Sequence, residues 1–244
     1  MSMNSNEIDL TILIPCFNEE KYIEHTLDTV VAAAEEAQRS YEIIVVDDQS
    51  TDNTYSVADK WVVCHPAANV KLRKNPTNRG LSRTFVDGAF LGAGKYYRLV
   101  CGDNAEPRET LVKIFRKTGE ADMIIPYHPV VPGKTFFRLF LSKTYTRLVN
   151  LISGYHLNYY NGLALHLRYN VMRWGPYSFG FGFQAELITR LLDEGATYLE
   201  IPVEVIHHEK DARASALNWR NFLSVTHTLM ELFVRRIRRH AFGG

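Results

Sequence analysis

Short apolar-rich runs and longer apolar stripes alternate along the first half of this chain. Residues 10–14, 41–47, 70–73 and 96–100 have the length and the Val, Ile, Leu and Tyr content of strands. Ile43 to Val46 is unbroken by any polar residue, which suits a strand buried on both faces of a parallel sheet. Between the first two runs, Tyr22, Ile23, Leu27, Val30, Val31 and Ala34 recur at helical spacing. That stripe predicts a helix opening in the loop Pro15-Cys16-Phe17-Asn18-Glu19, with Asn18 as a candidate cap. Further helices are expected over 53–61, 81–91 and 108–118, the last started by Pro107. Strands alternating with helices predict an α/β fold, a doubly wound, mostly parallel sheet flanked by helices.

The second half continues with strands expected at 121–126, 163–167 and 198–205, and a helix that Gly180 to Leu187 enters and Gly195 ends. Residues 135–152 read as an amphipathic helix whose apolar positions include Phe136, Phe137, Phe140, Leu148 and Ile152, with Arg138, Lys143 and Arg147 interleaved. Such a helix either packs on the domain or lies in a lipid headgroup layer. A last amphipathic helix, 217–239, ends Arg235-Arg236-Ile237-Arg238-Arg239. Cations suit a helix C-terminus, but four arginines in five residues exceed that need and point to an anionic surface such as lipid headgroups. The expected division is a domain over 1–216 and a basic amphipathic helix over 217–244, packed on the domain or at the membrane surface.

Bulk composition narrows the function classes. A formal net charge of +1 over 244 residues is not that of a polycation, and no aromatic platform accompanies the arginines, so nucleic acid is not the expected partner. Three widely spaced cysteines fit free thiols in a reducing compartment. The first six residues are polar, unlike a signal peptide, and no run approaches the roughly 18 apolar residues of a membrane span. The expectation is a cytoplasmic protein, soluble or peripheral on the membrane face.

Candidate chemistry collects where the strands end. Asp47 and Asp48 close the second strand, and Ser50, Asp52 and Asn53 follow as good helix caps. In open α/β sheets ligands bind at this carboxyl edge. Asn78-Arg79-Gly80 brings a cation to the same edge, and Gly102-Asp103 ends the fourth strand, where Gly102 permits close backbone approach. One or two carboxylates plus ligand phosphates can hold a hard divalent cation there, although capping explains Asp103 equally well. Glu186 stands near a helix N-terminus, with Gln184 two residues before it. Lys210 and Arg213, in the polar loop 207–215, are the cations best suited to neutralise a phosphate. His166 reads as an ordinary strand residue.

With these residues in place the chain resembles family 2 glycosyltransferases of GT-A fold, and within them the polyprenol-phosphate glycosyltransferases. The matching pieces are Ile14-Pro15-Cys16-Phe17-Asn18-Glu19-Glu20, Val45-Val46-Asp47-Asp48-Gln49-Ser50-Thr51-Asp52-Asn53-Thr54, Asn78-Arg79-Gly80-Leu81-Ser82 and Asp103, continuing through Gly162, Glu186 and the Ser215 loop. The resemblance implies a nucleoside diphosphate sugar donor. Pro15, Phe17 and Glu19 would line its nucleoside pocket, Asp48 would hold base or ribose, and Arg79, Gly80, Gly102 and Gln184 would complete the donor site. Asp103 falls on the last acidic position of the Asp-x-Asp motif and would ligate Mg2+ or Mn2+. The first acidic position is Cys101 here, and Ala105 replaces a frequent Gln, leaving Asn104 and Glu106 as neighbouring groups that could add to the ligand set.

The expected reaction is inverting sugar transfer to a polyprenyl phosphate, with Asp103 and Lys210 or Arg213 stabilising the leaving diphosphate. Such an acceptor is already an oxyanion. A saccharide hydroxyl acceptor would instead need a base, for which Glu186 is the candidate. A catalytically silent nucleotide-sugar-binding module is the alternative from a different class.

Overall fold

β1 (Leu10–Cys16) and β2 (Tyr41–Asp47) are buried almost end to end and pair in parallel, Leu10 against Tyr41 through Cys16 against Asp47. Their side chains alternate between two cores: Ile43 and Val45 join one, Ile44 and Val46 the other. A computed structural model of the chain describes residues 7–129, 136–175, 182–206 and 219–242. β3 (Val70–Lys74) extends the sheet beyond β2, and β4 (Tyr96–Leu99) pairs in parallel on the other side of β1. With β5 (Met123–Tyr127), β6 (Leu165–Leu167) and β7 (Tyr198–Pro202) the order is β3-β2-β1-β4-β6-β5-β7. Only β6 runs antiparallel to its neighbours in this described sheet, so β4, β5 and β7 end on the same edge as β1 and β2.

Helices cover both faces. α1 (Ile23–Glu36), α2 (Thr54–Cys64) and α4 (Arg108–Arg116) bury their apolar stripes against one. α3 (Leu81–Leu91), α5 (Phe136–Ser153), the short α6 (Arg168–Arg173), α7 (Phe183–Asp193) and α8 (Trp219–Phe242) contribute to the other. The expected mostly parallel α/β sheet is present. α1 begins later than the sequence suggests. Asn18 is left-handed (φ 58°) rather than a cap, and Tyr22 and Ile23 both donate their N–H to the Glu19 carbonyl before the helix settles.

α8 lies on α5 and α7 at close range. A Cβ on Gly182, just before α7, would fall 1.9 Å from Thr228 Oγ1, so only glycine permits this approach. The arginine cluster departs from expectation. Arg235 Nε meets Asp193 Oδ2 at 3.1 Å, and Arg239 pairs with the same carboxylate. Arg236 donates to the Ser153 carbonyl at 3.1 Å. Three of the four guanidiniums are therefore engaged by the C-terminal ends of α5 and α7, where helix carbonyls and Asp193 attract cations. Alongside the polar Thr226, His227, Glu231 and Arg238, α8 exposes the apolar Met230, Phe233, Val234 and Ile237.

Candidate active site

The loops after β1, β2 and β4 meet at the carboxyl edge, where strand order reverses on either side of β1. Backbone bonds extend the sheet into the loops: Asp48 N–H to the Cys16 carbonyl at 2.9 Å, and Gly102 N–H to the Pro15 carbonyl at 3.3 Å. A side chain at 102 would press on Cys16, its Cβ 3.0 Å from the Cys16 Cβ. Asp48 and Gly102-Asp103 thus flank the β1 loop, as a shared site requires. Asn18, Gln49 and Asn104, one in each loop, are non-glycine residues with positive φ. Such strain collects where surrounding contacts over-determine a functional backbone.

The residues expected to cap α2 also lace the β1 and β2 loops together. Ser50 Oγ accepts from Asn18 N–H at 3.0 Å, Asn18 Oδ1 accepts from Thr51 N–H at 2.8 Å, and Glu20 Oε2 accepts from Asn53 N–H at 3.0 Å. Asp52 Oδ1 takes the Thr54 N–H at 3.0 Å. Burial raises the Asp52 carboxyl, but hydrogen bonds from Thr54 and Glu20 outweigh it and hold the group below its ordinary value.

Asp48 is also committed within the chain. Its buried carboxylate accepts from Arg79 N–H at 2.9 Å, Gly80 N–H at 2.8 Å and Asn75 Nδ2 at 2.7 Å. Those bonds fold the segment 75–80 over the edge, with Gly80 at φ 76°. A carboxylate offers about four acceptor positions, so three are occupied and Asp48 holds the segment 75–80 in place with little acceptor capacity left over. Arg79 extends to Asp87 at 2.6 Å. Of the residues expected to line a nucleoside pocket, Phe17 is 46% exposed and Glu19 half-buried, while Pro15 is buried near the end of β1.

Asp103 is half-buried at the tip of the β4–α4 loop, with its Oδ1 accepting from Ala105 N–H at 3.2 Å. Burial, with the carboxylates of Asp103 and Glu106 adding, pushes the Cys101 thiol up, so it is protonated at neutral pH and a poor ligand for a hard cation. Glu106 turns away to the buried Arg98 at 2.5 Å and does not add to the ligand set. Among the described residues no group of three or more His, Cys, Asp or Glu could hold a metal by itself. A cation shared between Asp103 and a bound diphosphate remains compatible with this donor set.

α7 leads back to the start of β7, so its N-terminus lies toward the carboxyl edge. Gln184 points into the core instead of a pocket: it is 1% exposed, with Oε1 at 3.1 Å from His166 Nε2. His166 is itself fully buried, and burial pushes its imidazole down to about 4, with the Gln184 contact opposing. Glu186 is 3% exposed, with Arg190 at 4.0 Å. Lys210 and Arg213 lie outside the described residues. The last residue before their loop, Ile206, donates its N–H to the Ala105 carbonyl at 2.8 Å, two positions beyond Asp103.

Sequence reasoning missed a cavity at the end of β5. Its volume is about 510 Å³, and its lining includes His128, Ser142, Lys143, Thr146, Arg147 and Tyr159. The available signal was Lys143 and Arg147 at i,i+4 on the predicted helix 135–152, which places them on one face.

Residues 11–175 match the family described as Glycosyl transferase family 2. A dolichyl-phosphate β-glucosyltransferase of Dictyostelium discoideum is 32% identical over 110 residues, 42% of this chain and 34% of that one. A dolichol-phosphate mannosyltransferase of Pyrococcus furiosus is 29% identical over 140 residues, 55% of this chain and 38% of that one. The matched stretches span little more than a third of these relatives. Among solved structures, a mannosyltransferase of Pyrobaculum calidifontis in complex with GDP-Man and Mn2+ superposes with a TM-score of 0.64 at 21% identity, covering 96% of this chain and 65% of that one. The glucosyl-3-phosphoglycerate synthase of Mycobacterium tuberculosis with phosphoglyceric acid gives 0.67 at 15% identity, covering 91% and 80%. Their likeness to this chain is one of fold, the GT-A fold.

Proposed function

The chain belongs to glycosyl transferase family 2, and from that premise we propose that it transfers a sugar, with inversion, from a nucleoside diphosphate sugar to a polyprenyl phosphate. The donor would lie across the β1–β4 crevice, against Phe17, Glu19, Arg79, Gly80, Gly102 and Asp103, in a pocket shaped by Asp48. Asp103 would hold Mg2+ or Mn2+, which when bound neutralises charge building on the diphosphate. Lys210 and Arg213 would add positive charge from the segment that follows Ile206.

The observation that carries the acceptor assignment is the cavity with His128, Lys143 and Arg147, which opens at the same sheet edge as Asp103. Two cations with hydroxyl neighbours suit a phosphate monoester. A phosphate oxygen would attack the anomeric carbon opposite the donor diphosphate. The new C–O bond forms as the bond to the diphosphate breaks, and no proton has to be removed. Glu186, buried and facing Arg190, is then not needed as a base. The outward faces of α5, with Phe136, Phe140, Leu148 and Leu151 exposed, and of α8 support peripheral attachment to the cytoplasmic face of a membrane.

The test is transfer of labelled sugar from UDP-glucose or GDP-mannose, with Mn2+, to undecaprenyl phosphate in detergent. Product lipid is expected from the native protein and from Glu186→Gln. Lys143→Glu/Arg147→Glu should raise the acceptor KM by about tenfold or more, as loss of charge-assisted contacts does. Transfer only to free saccharides, lost in Glu186→Gln, would favour the hydroxyl-acceptor reading. Donor binding without product under any condition would favour a silent binding module, the reading that the altered acidic motif, Cys101 with Ala105, supports.

A further inference from the structure

Arg98 is a fully buried guanidinium in the middle of an apolar strand. It stands opposite Ile12 in the sheet and shares its face with Tyr96 and Val100, beneath α1 and α4. Its Nη2 lies 2.5 Å from Glu106 Oε1, just ahead of α4. Arg98 Nε and Nη1 and Glu106 Oε2 are buried and make no hydrogen bond. A half-satisfied buried ion pair is a poor way to add stability, because well-packed apolar residues of similar volume commonly do as well or better.

Its position is more informative. The pair joins the two ends of the loop between β4 and α4, and Asp103 and the left-handed Asn104 stand at the tip between them. The other ties hold the loop from the sides. Gly102 is bonded through its N–H to Pro15 and through its carbonyl to Thr26 Oγ1, and the Ala105 carbonyl receives Ile206 N–H. Without the Arg98–Glu106 clasp, the segment leading from Asp103 into α4 would lose a buried side-chain anchor to β4.

We propose that Arg98 and Glu106 are positioning residues for the donor's diphosphate: their ion pair closes the base of the loop and sets where the Asp103 carboxylate stands. The inference rests on the donor reading above. It also gives Glu106 a role other than the direct metal ligation its place in the sequence suggests.

Calorimetric titration of the whole protein with UDP and GDP, in the presence of Mn2+, tests it. UMP and GMP serve as references, since they keep base and ribose and lack the diphosphate. In Arg98→Leu/Glu106→Leu, the diphosphate with the native protein's preferred base should bind about tenfold more weakly or worse, the scale of loss when the groups that orient a ligating residue are removed. The matching monophosphate should stay within about twofold, and the melting temperature within a few degrees, since both charges leave together. Unchanged diphosphate affinity, or equal weakening of both nucleotides, overturns the proposal. If the native protein binds neither base, the donor reading fails and takes the inference with it. Should the double variant not fold, Glu106→Gln preserves the shape of the pair without its charge balance, and the same ratio of affinities decides.

Discussion

Asp48 shows how far a single residue's part can depend on partners that lie distant in sequence. Its three donors, Asn75, Arg79 and Gly80, are 27 to 32 positions away. Asp48→Asn turns one acceptor oxygen into an NH2 group, so an N–H of Arg79 or Gly80 loses its partner. The expected cost is about 1.5–3 kcal/mol. Amide hydrogen exchange should quicken at residues 79 and 80 while β1 and β2 stay protected; unchanged exchange there would rule out the clamp. The carboxylate's place at a strand tip was legible in the sequence, as were Gly102 and Asp103, because strand ends and turn formers announce themselves locally. That Asp48 faces its own chain, and that Gln184 faces His166 rather than a ligand, was not legible. Both facts depend on which segments fold over one another, and no periodicity records that.

Among the elements, strongly periodic helices were the readable ones, and the short helix α6 was not. α6 has six residues, too few for a pattern to build up, whereas β6 lies inside the strand expected at 163–167. The arginines of α8 misled for a different reason. Charge density alone does not say whether the opposing anion is outside the protein or, as with Asp193, on the neighbouring helix. The crossing of α7 and α8 provides a direct check on that docking. Gly182→Ala inserts a methyl group against Thr228, and the overlap should cost about 1–3 kcal/mol. Differential scanning calorimetry should show a melting temperature lower by several degrees. A neutral substitution would mean that the two helices can separate without loss.

For the molecule as a whole, alternation along the chain implied a parallel α/β sheet, but the strand order and the antiparallel β6 between β4 and β5 become visible only when the pieces assemble. β6 carries His166, and with it a pH dependence of the entire fold. The folded imidazole lies near 4, below its ordinary 6.5, because burial disfavours the charged form. The unfolded chain therefore binds the proton more readily. Stability from this group is complete above about pH 6.5 and declines as pH falls toward 4, by on the order of 3 kcal/mol. Thermal unfolding followed from pH 7 to 4 should show this decline, and His166→Gln should flatten it. The outward sides of α5 and α8 have a practical consequence. Phe136 and Leu151 are 85% and 80% exposed, Phe233 and Ile237 at least half, and a formal charge of +1 gives copies almost no mutual repulsion. Overproduced in plain buffer, the protein should pellet, and a mild detergent should return it to the supernatant.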